Sequence, residues 1–175
     1  MIEPLSALNA AVRDVSDFPK PGILFKDITP ILSDGRLLRM AVDCFVQANA
    51  DLRIDKIVGI DARGFLFGAA AAYELGVGFV PVRKKGKLPY RTESVSYSLE
   101  YGQSSVEMHV DAIVPGERIA LIDDLLATGG TAAAAACLIA KMGGVLVEAQ
   151  FLIELEFLAG RKALNNLPVR SFLKY

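Results

Sequence analysis

A chain of 175 residues, 53% hydrophobic and 22% charged, can bury the core of one compact domain and is too apolar to be disordered. Its formal net charge of −1 excludes a polybasic nucleic-acid binder, and no apolar run approaches the ~18 residues of a membrane span. His109 is the single histidine and Cys44 and Cys137 lie far apart, so neither a His-rich metal site nor a zinc motif is available.

The opening Met1-Ile2-Glu3-Pro4 lacks the basic start and apolar core of a signal peptide, so a cytoplasmic protein with reduced, buried cysteines is expected. Ser6 to Val15 reads as a short helix, and Asp34 as the cap of a longer one reaching about Asp51. The short apolar run Ile57 to Asp61 is a strand, Phe65 to Leu75 a helix stopped by Gly76, and Phe79 to Val82 a second strand. From Lys84 to Gln103 the pattern turns polar with a basic start, the mark of a lid over 84–110. Val95, Tyr97, Leu99 and Tyr101 alternate with polar residues there, and with Ser105 to Val110 predict a two-stranded ribbon turning near Gly102. Ile119 to Asp124 is a buried strand, Thr131 to Met142 a helix, Val145 to Leu155 a long strand and Phe157 to Leu164 a last helix. Continuous apolar strands alternating with helices predict an α/β fold: one domain, 1–175, with a mostly parallel central sheet flanked by helices.

The densest chemistry lies in Ile122-Asp123-Asp124-Leu125-Leu126-Ala127-Thr128-Gly129-Gly130-Thr131, running into a helix. Small residues at Ala127, Gly129 and Gly130 leave backbone N–H groups to surround an anion, the helix start adds its positive end, and Thr128 and Thr131 supply hydroxyls. The dipole contributes only about 0.3–1 kcal/mol when exposed, so the hydrogen bonds together must carry the binding. No Lys follows the glycines and no G-x-G-x-x-G occurs, which excludes a nucleotide-triphosphate P-loop and a dinucleotide fingerprint. Asp123 and Asp124 repel a phosphate; their targets are vicinal hydroxyls, such as those of a ribose, or a divalent cation. A plainer reading has the acids capping the helix and the glycines turning the chain.

This run resembles the donor-binding signature of type I phosphoribosyltransferases. Phe18 to Pro30, Gly59 to Gly68, Arg83 to Pro89, Tyr97 to Gly102 and Phe151 to Arg161 agree in order, so the resemblance covers essentially the whole chain. It implies the fold named above, a homodimer, and transfer of phosphoribose from 5-phospho-α-D-ribose 1-diphosphate (PRPP) to a purine, yielding a nucleotide and pyrophosphate. By resemblance Ala127, Thr128, Gly129, Gly130 and Thr131 cradle the 5′-phosphate and Asp123 and Asp124 hold the ribose hydroxyls. Ala62 and Arg63, in a turn that can contain a non-proline cis peptide, face the pyrophosphate with Lys84 and Lys87. Mg²⁺ arrives on the pyrophosphate, held mainly by phosphate oxygens and water, so no dedicated protein metal site is expected. Leu24, Phe25 and Lys26, within an N-terminal base-binding region 1–33, read the base, Phe25 by stacking. Glu100 handles the proton on the purine's five-membered ring. Relatives acting on 6-oxopurines carry an acid where Ala127 stands, which tilts the expected base to adenine and the product to AMP. A regulator that only senses PRPP would need a basic face or an added nucleic-acid-binding element. No nucleic acid or membrane partner is expected.

Overall fold

The structure, a computed structural model, describes residues 2–99 and 102–175, with side chains described for 5–97 and 104–175. The chain divides into two compact units, Met1–Cys44 and Phe45–Tyr175.

In the smaller unit, α1 (Ile2–Ala11) is followed by β1 (Arg13–Ser16) and β2 (Leu24–Asp27), then α2 (Thr29–Ser33) and α3 (Gly35–Asn49), which contains the unit boundary. The helix expected over 6–15 therefore stops at Ala11. Arg13–Ser16 is extended because it pairs antiparallel with β2, Val15 opposite Phe25, and because Arg13 Nε and NH2 both donate to Asp27 Oδ2. The Thr29 backbone N–H, Arg13 and the Thr29 hydroxyl together lower the Asp27 pKa to about 2. The link between the strands turns at Asp17 (φ 59°), whose carboxylate accepts the Gly22 N–H at 2.7 Å. Asp34 caps α3 as expected: its Oδ1 accepts the N–H groups of Arg36 (2.8 Å) and Leu37 (3.0 Å).

The larger unit is built on seven strands. They are β3 (Lys56–Ile60), β4 (Gly78–Lys84), β5 (Thr92–Leu99), β6 (Gly102–His109), β7 (Arg118–Leu126), β8 (Val145–Glu154) and β9 (Val169–Lys174), arranged β5-β6-β4-β3-β7-β8-β9. Strands β4, β3, β7, β8 and β9 are mutually parallel, and the β5–β6 hairpin adds antiparallel at the β4 edge. The mostly parallel sheet is as expected. Its central strands are buried on both faces, which is why Ile57, Val58 and Ile119 to Ile122 read as unbroken apolar runs.

Two helices cover the sheet near the site. Helix α4 (Arg63–Leu75) ends at Gly76, whose left-handed φ of 67° closes the cap. It lies tight against β7: a Cβ on Gly64 would stand 2.8 Å from the Ile122 carbonyl oxygen, so only glycine fits. Helix α5 (Gly130–Lys141) buries Ala132, Ala134, Ala135, Ala136, Leu138 and Ile139. Cys137 falls on its open side and is exposed, correcting the expectation of a buried thiol; Cys44 is half-buried.

After β8 the expected helix over 157–164 is replaced by two 3₁₀ turns, Glu156–Leu158 and Gly160–Leu164. Ala159 between them adopts φ 51°, which no continuous right-handed helix accommodates. The closing strand β9 was not expected. It is short, follows Pro168 and pairs parallel with β8 from Ala149↔Val169 onward. No described helix is long and apolar enough to cross a membrane.

Candidate functional site

Parallel strands deliver their carboxyl ends to one edge of the sheet, where ligands of such folds bind. At that edge β7 carries Asp123 and Asp124 on successive positions. Asp124 is buried, 5% exposed, and its Oδ2 pairs with Arg63 Nε at 2.7 Å; Asp123 Oδ1 accepts the Asp124 N–H at 2.8 Å. Burial, and next the neighbouring Asp124 charge, push the Asp123 carboxyl well above the ordinary range. Burial also raises Asp124, against the opposing pull of Arg63. Two acids with raised pKa values at a strand end are poised for hydroxyls or a cation.

Beyond them the chain forms a small cup. A cavity of about 90 Å³ is lined by Asp123 and by Ala127, Thr128, Gly129, Gly130 and Thr131. Gly129, with φ 82°, is the residue before α5, and no side-chain cap hydrogen bond closes the start of that helix, an arrangement that suits an anion. The cup is braced from behind. A Cβ on Gly129 would overlap the Gly160 carbonyl, and one on Gly160 would overlap the Ala127 carbonyl. Both positions therefore require glycine, and the 3₁₀ turn at Gly160 sets the depth of the loop. The Thr131 hydroxyl donates to the Tyr97 hydroxyl at 3.0 Å, joining the cup to the ribbon.

An adjoining cavity of about 200 Å³ shares Asp123, Leu125 and Thr131 with the cup and is lined also by Asp61, Ala62, Arg63, Lys84, Tyr97 and Asp124. Its floor is the turn after β3, where the Asp61–Ala62 peptide is cis. Asp61 accepts from Arg83 Nε at 2.8 Å, and Arg83 NH1 donates to the Lys87 carbonyl at 3.0 Å. A β-turn closes with Lys87 N–H to the Lys84 carbonyl (3.2 Å), Gly86 supplying the left-handed corner at φ 84°. Lys84, Lys85 and Lys87 are exposed on it.

The sequence-derived site residues thus fall into four groups among the described residues, with Glu100 outside them. Asp123, Ala127, Thr128, Gly129, Gly130 and Thr131 line the cup, and Ala62, Arg63, Lys84 and Asp124 line the adjoining cavity. Lys87 lies on the basic turn rather than in the lining. Leu24, Phe25 and Lys26 lie on β2 in the smaller unit: Leu24 is exposed, Phe25 meets Phe18 edge-to-face at 5.1 Å, and Lys26 pairs with Asp14 at 2.6 Å. Glu100, with Tyr101, lies outside the described residues. Sequence reasoning placed Asp61 in the turn and Arg83 in the basic cluster but did not single out Glu107 or Gly160. A glutamate between Val106 and Met108 was the one available signal, since both neighbours are apolar.

Residues 34–172 match the family model described as a phosphoribosyl transferase domain. The chain is 56% identical over 164 residues to the adenine phosphoribosyltransferase of Agrobacterium fabrum, covering 94% of this chain and 91% of that protein. Among solved structures, the adenine phosphoribosyltransferase of Thermoanaerobacter pseudethanolicus superposes with a TM-score of 0.95 at 48% identity, covering 98% of this chain and 99% of that one. The Saccharomyces cerevisiae adenine phosphoribosyltransferase, complexed with an imino-altritol bisphosphate and adenine, gives 0.94 at 41% identity, again covering 98% and 99%.

Proposed function

The chain belongs to the phosphoribosyl transferase family, and we infer from its site that it serves purine salvage. It is an adenine phosphoribosyltransferase in activity: adenine and PRPP give AMP and pyrophosphate. The observation that carries this reading is the anion cup of Ala127 to Thr131 set beside an acid pair, Asp124 buried and Asp123 half-buried, a matched receptor for a ribose 5-phosphate.

The roles follow from charge and reach. Cleavage of the C1–O bond of PRPP leaves an oxocarbenium-like ribose and a highly charged pyrophosphate. The backbone N–H groups and hydroxyls of Thr128 to Thr131 hold the 5′-phosphate, while Asp123 and Asp124 accept hydrogen bonds from the ribose hydroxyls, fixing the sugar as its anomeric carbon moves. Ala62, Arg63, Lys84 and Lys87 receive the pyrophosphate; the guanidinium of Arg63 bridges this group to the acid pair through Asp124. Leu24, Phe25 and Lys26 read adenine, and Glu100 manages its ring proton. Mg²⁺ would fit this chemistry as a companion of the pyrophosphate, held mainly by phosphate oxygens and water, with Asp123 on the cavity wall as the nearest candidate protein oxygen. Bound there, it would neutralise part of the leaving charge. A homodimer and a cytoplasmic location complete the proposal, the latter suiting two free cysteines.

The direct test mixes the purified chain with PRPP, Mg²⁺ and adenine in competition with hypoxanthine, guanine, xanthine and orotate. AMP with stoichiometric pyrophosphate is the expected product; a preference for another base would overturn the adenine assignment, and PRPP binding without product would favour a sensor.

A further inference from the structure

We propose that Glu107 is a positioning residue for pyrophosphate, holding the basic turn Lys84–Lys87 in its binding conformation. The inference rests on the reading of Lys84 and Lys87 as pyrophosphate contacts.

Glu107 is 3% exposed, on β6 directly opposite Arg83 of β4. Its Oε1 accepts the N–H groups of Lys87 and Leu88, each at 2.9 Å, and its Oε2 accepts the Thr92 hydroxyl at 3.2 Å. Among the described residues no cation pairs with it. A buried carboxylate without a cation is costly unless several donors converge on it. Burial works to raise this carboxyl, but the backbone N–H groups of Leu88, Gly86 and Lys87 outweigh it and keep the group ionised.

Lys87 is gripped on both sides of its backbone. Its N–H is shared between Glu107 at 2.9 Å and the Lys84 carbonyl at 3.2 Å, and Arg83 NH1 donates to its carbonyl while Arg83 Nε reaches Asp61 in the cis-peptide turn. A turn with exposed lysines and a glycine corner would otherwise sample many conformations, and ordering it on binding would weaken the ligand. Glu107 removes that cost before pyrophosphate arrives. It touches no reacting atom.

The test is a double-mutant cycle on the full chain, with inorganic pyrophosphate plus Mg²⁺ as the probe and calorimetry as the readout. K87A and E107A are each expected to weaken pyrophosphate about tenfold, and E107A/K87A no more than about twofold beyond K87A alone. E107Q, which keeps an acceptor oxygen for both N–H groups, should restore affinity to within about threefold, and AMP affinity of E107A should stay within about twofold. Should E107A fail to fold, E107D, one methylene short of the N–H groups, replaces it in the same cycle. Pyrophosphate binding unmoved by K87A would overturn the Lys87 assignment and this inference together. Binding weakened by K87A but not by E107A, or full multiplication of the two effects with equal loss of AMP binding, would overturn the inference alone.

Discussion

Asp123 and Asp124 carry a burial cost that Arg63 offsets only in part. Burial raises both carboxyls above the ordinary value of 3.8. Between the unfolded and folded pKa values the folded state binds more protons, and stability therefore falls as pH rises through that window. Removing the charge should reverse this. Asp123→Asn is expected to melt higher than the parent at about pH 8, with the gain vanishing near pH 4, while losing most PRPP binding. Thermal melts across pH check the first part; equal melting at all pH values would contradict it. Glu100 answers to a different measurement. Glu100→Gln should lower kcat by about 10²-fold, within the range for general acid–base catalysis, with PRPP affinity nearly unchanged. Near-normal turnover would remove Glu100 from the mechanism.

The elements around the cup explain why a short loop keeps its shape. The 3₁₀ turn Gly160–Leu164 meets the loop where a Cβ on Gly129 or Gly160 would collide, and Arg161 anchors that turn by two 2.7 Å bonds from Nε and NH2 to the carboxylate of Glu154 on β8. Glu154 is 4% exposed, and Arg161 is the main cause of its lowered pKa. Arg161→Ala should cost about 1–3 kcal/mol at neutral pH, discounted from a fully buried pair because the Arg161 side chain is 43% exposed. Because the Glu154 pKa is depressed, that stability exists above the ordinary carboxylate value and disappears as pH falls through the folded one. The variant and parent should therefore converge in acid, and PRPP affinity should drop with the loss of the brace. Denaturant titrations at neutral and acid pH decide the point. None of this brace was legible in the sequence. Strands β3, β4, β7 and β8 and helices α3, α4 and α5 were, because apolar runs, Asp34 and Gly76 mark them locally. The closing 3₁₀ turns and β9 depend on Ala159 and on pairing with β8, which no local pattern announces. The same limit hid Glu107, whose hydrogen-bond partners lie 15 or more residues away in the chain, Thr92 at 15 and Leu88 at 19; the Asp61–Arg83 pair, 22 residues apart, joins two residues the sequence named separately.

At the scale of the molecule the proposal assigns phosphate to the cup, ribose to the acid pair and adenine to Leu24 to Lys26. The first two were legible in the residues themselves, as small residues and paired acids in one run, whereas the adenine assignment came only from the resemblance over Phe18 to Pro30. The proposed homodimer draws on apolar surface that the fold leaves uncovered. Leu66 (47% exposed) and Tyr73 (84% exposed) lie seven residues apart on one face of α4. Light scattering should return twice the 18.8 kDa chain mass, and Tyr73→Glu should shift it toward one; a monomeric parent would contradict the proposal. The cup itself is tested most directly by a crystal structure with AMP bound. The phosphorus should lie within the loop, its oxygens taking hydrogen bonds from the backbone of Thr128 to Thr131, with both ribose hydroxyls against Asp123 and Asp124. A nucleotide phosphate seated anywhere else, with that loop left unliganded, would contradict the account.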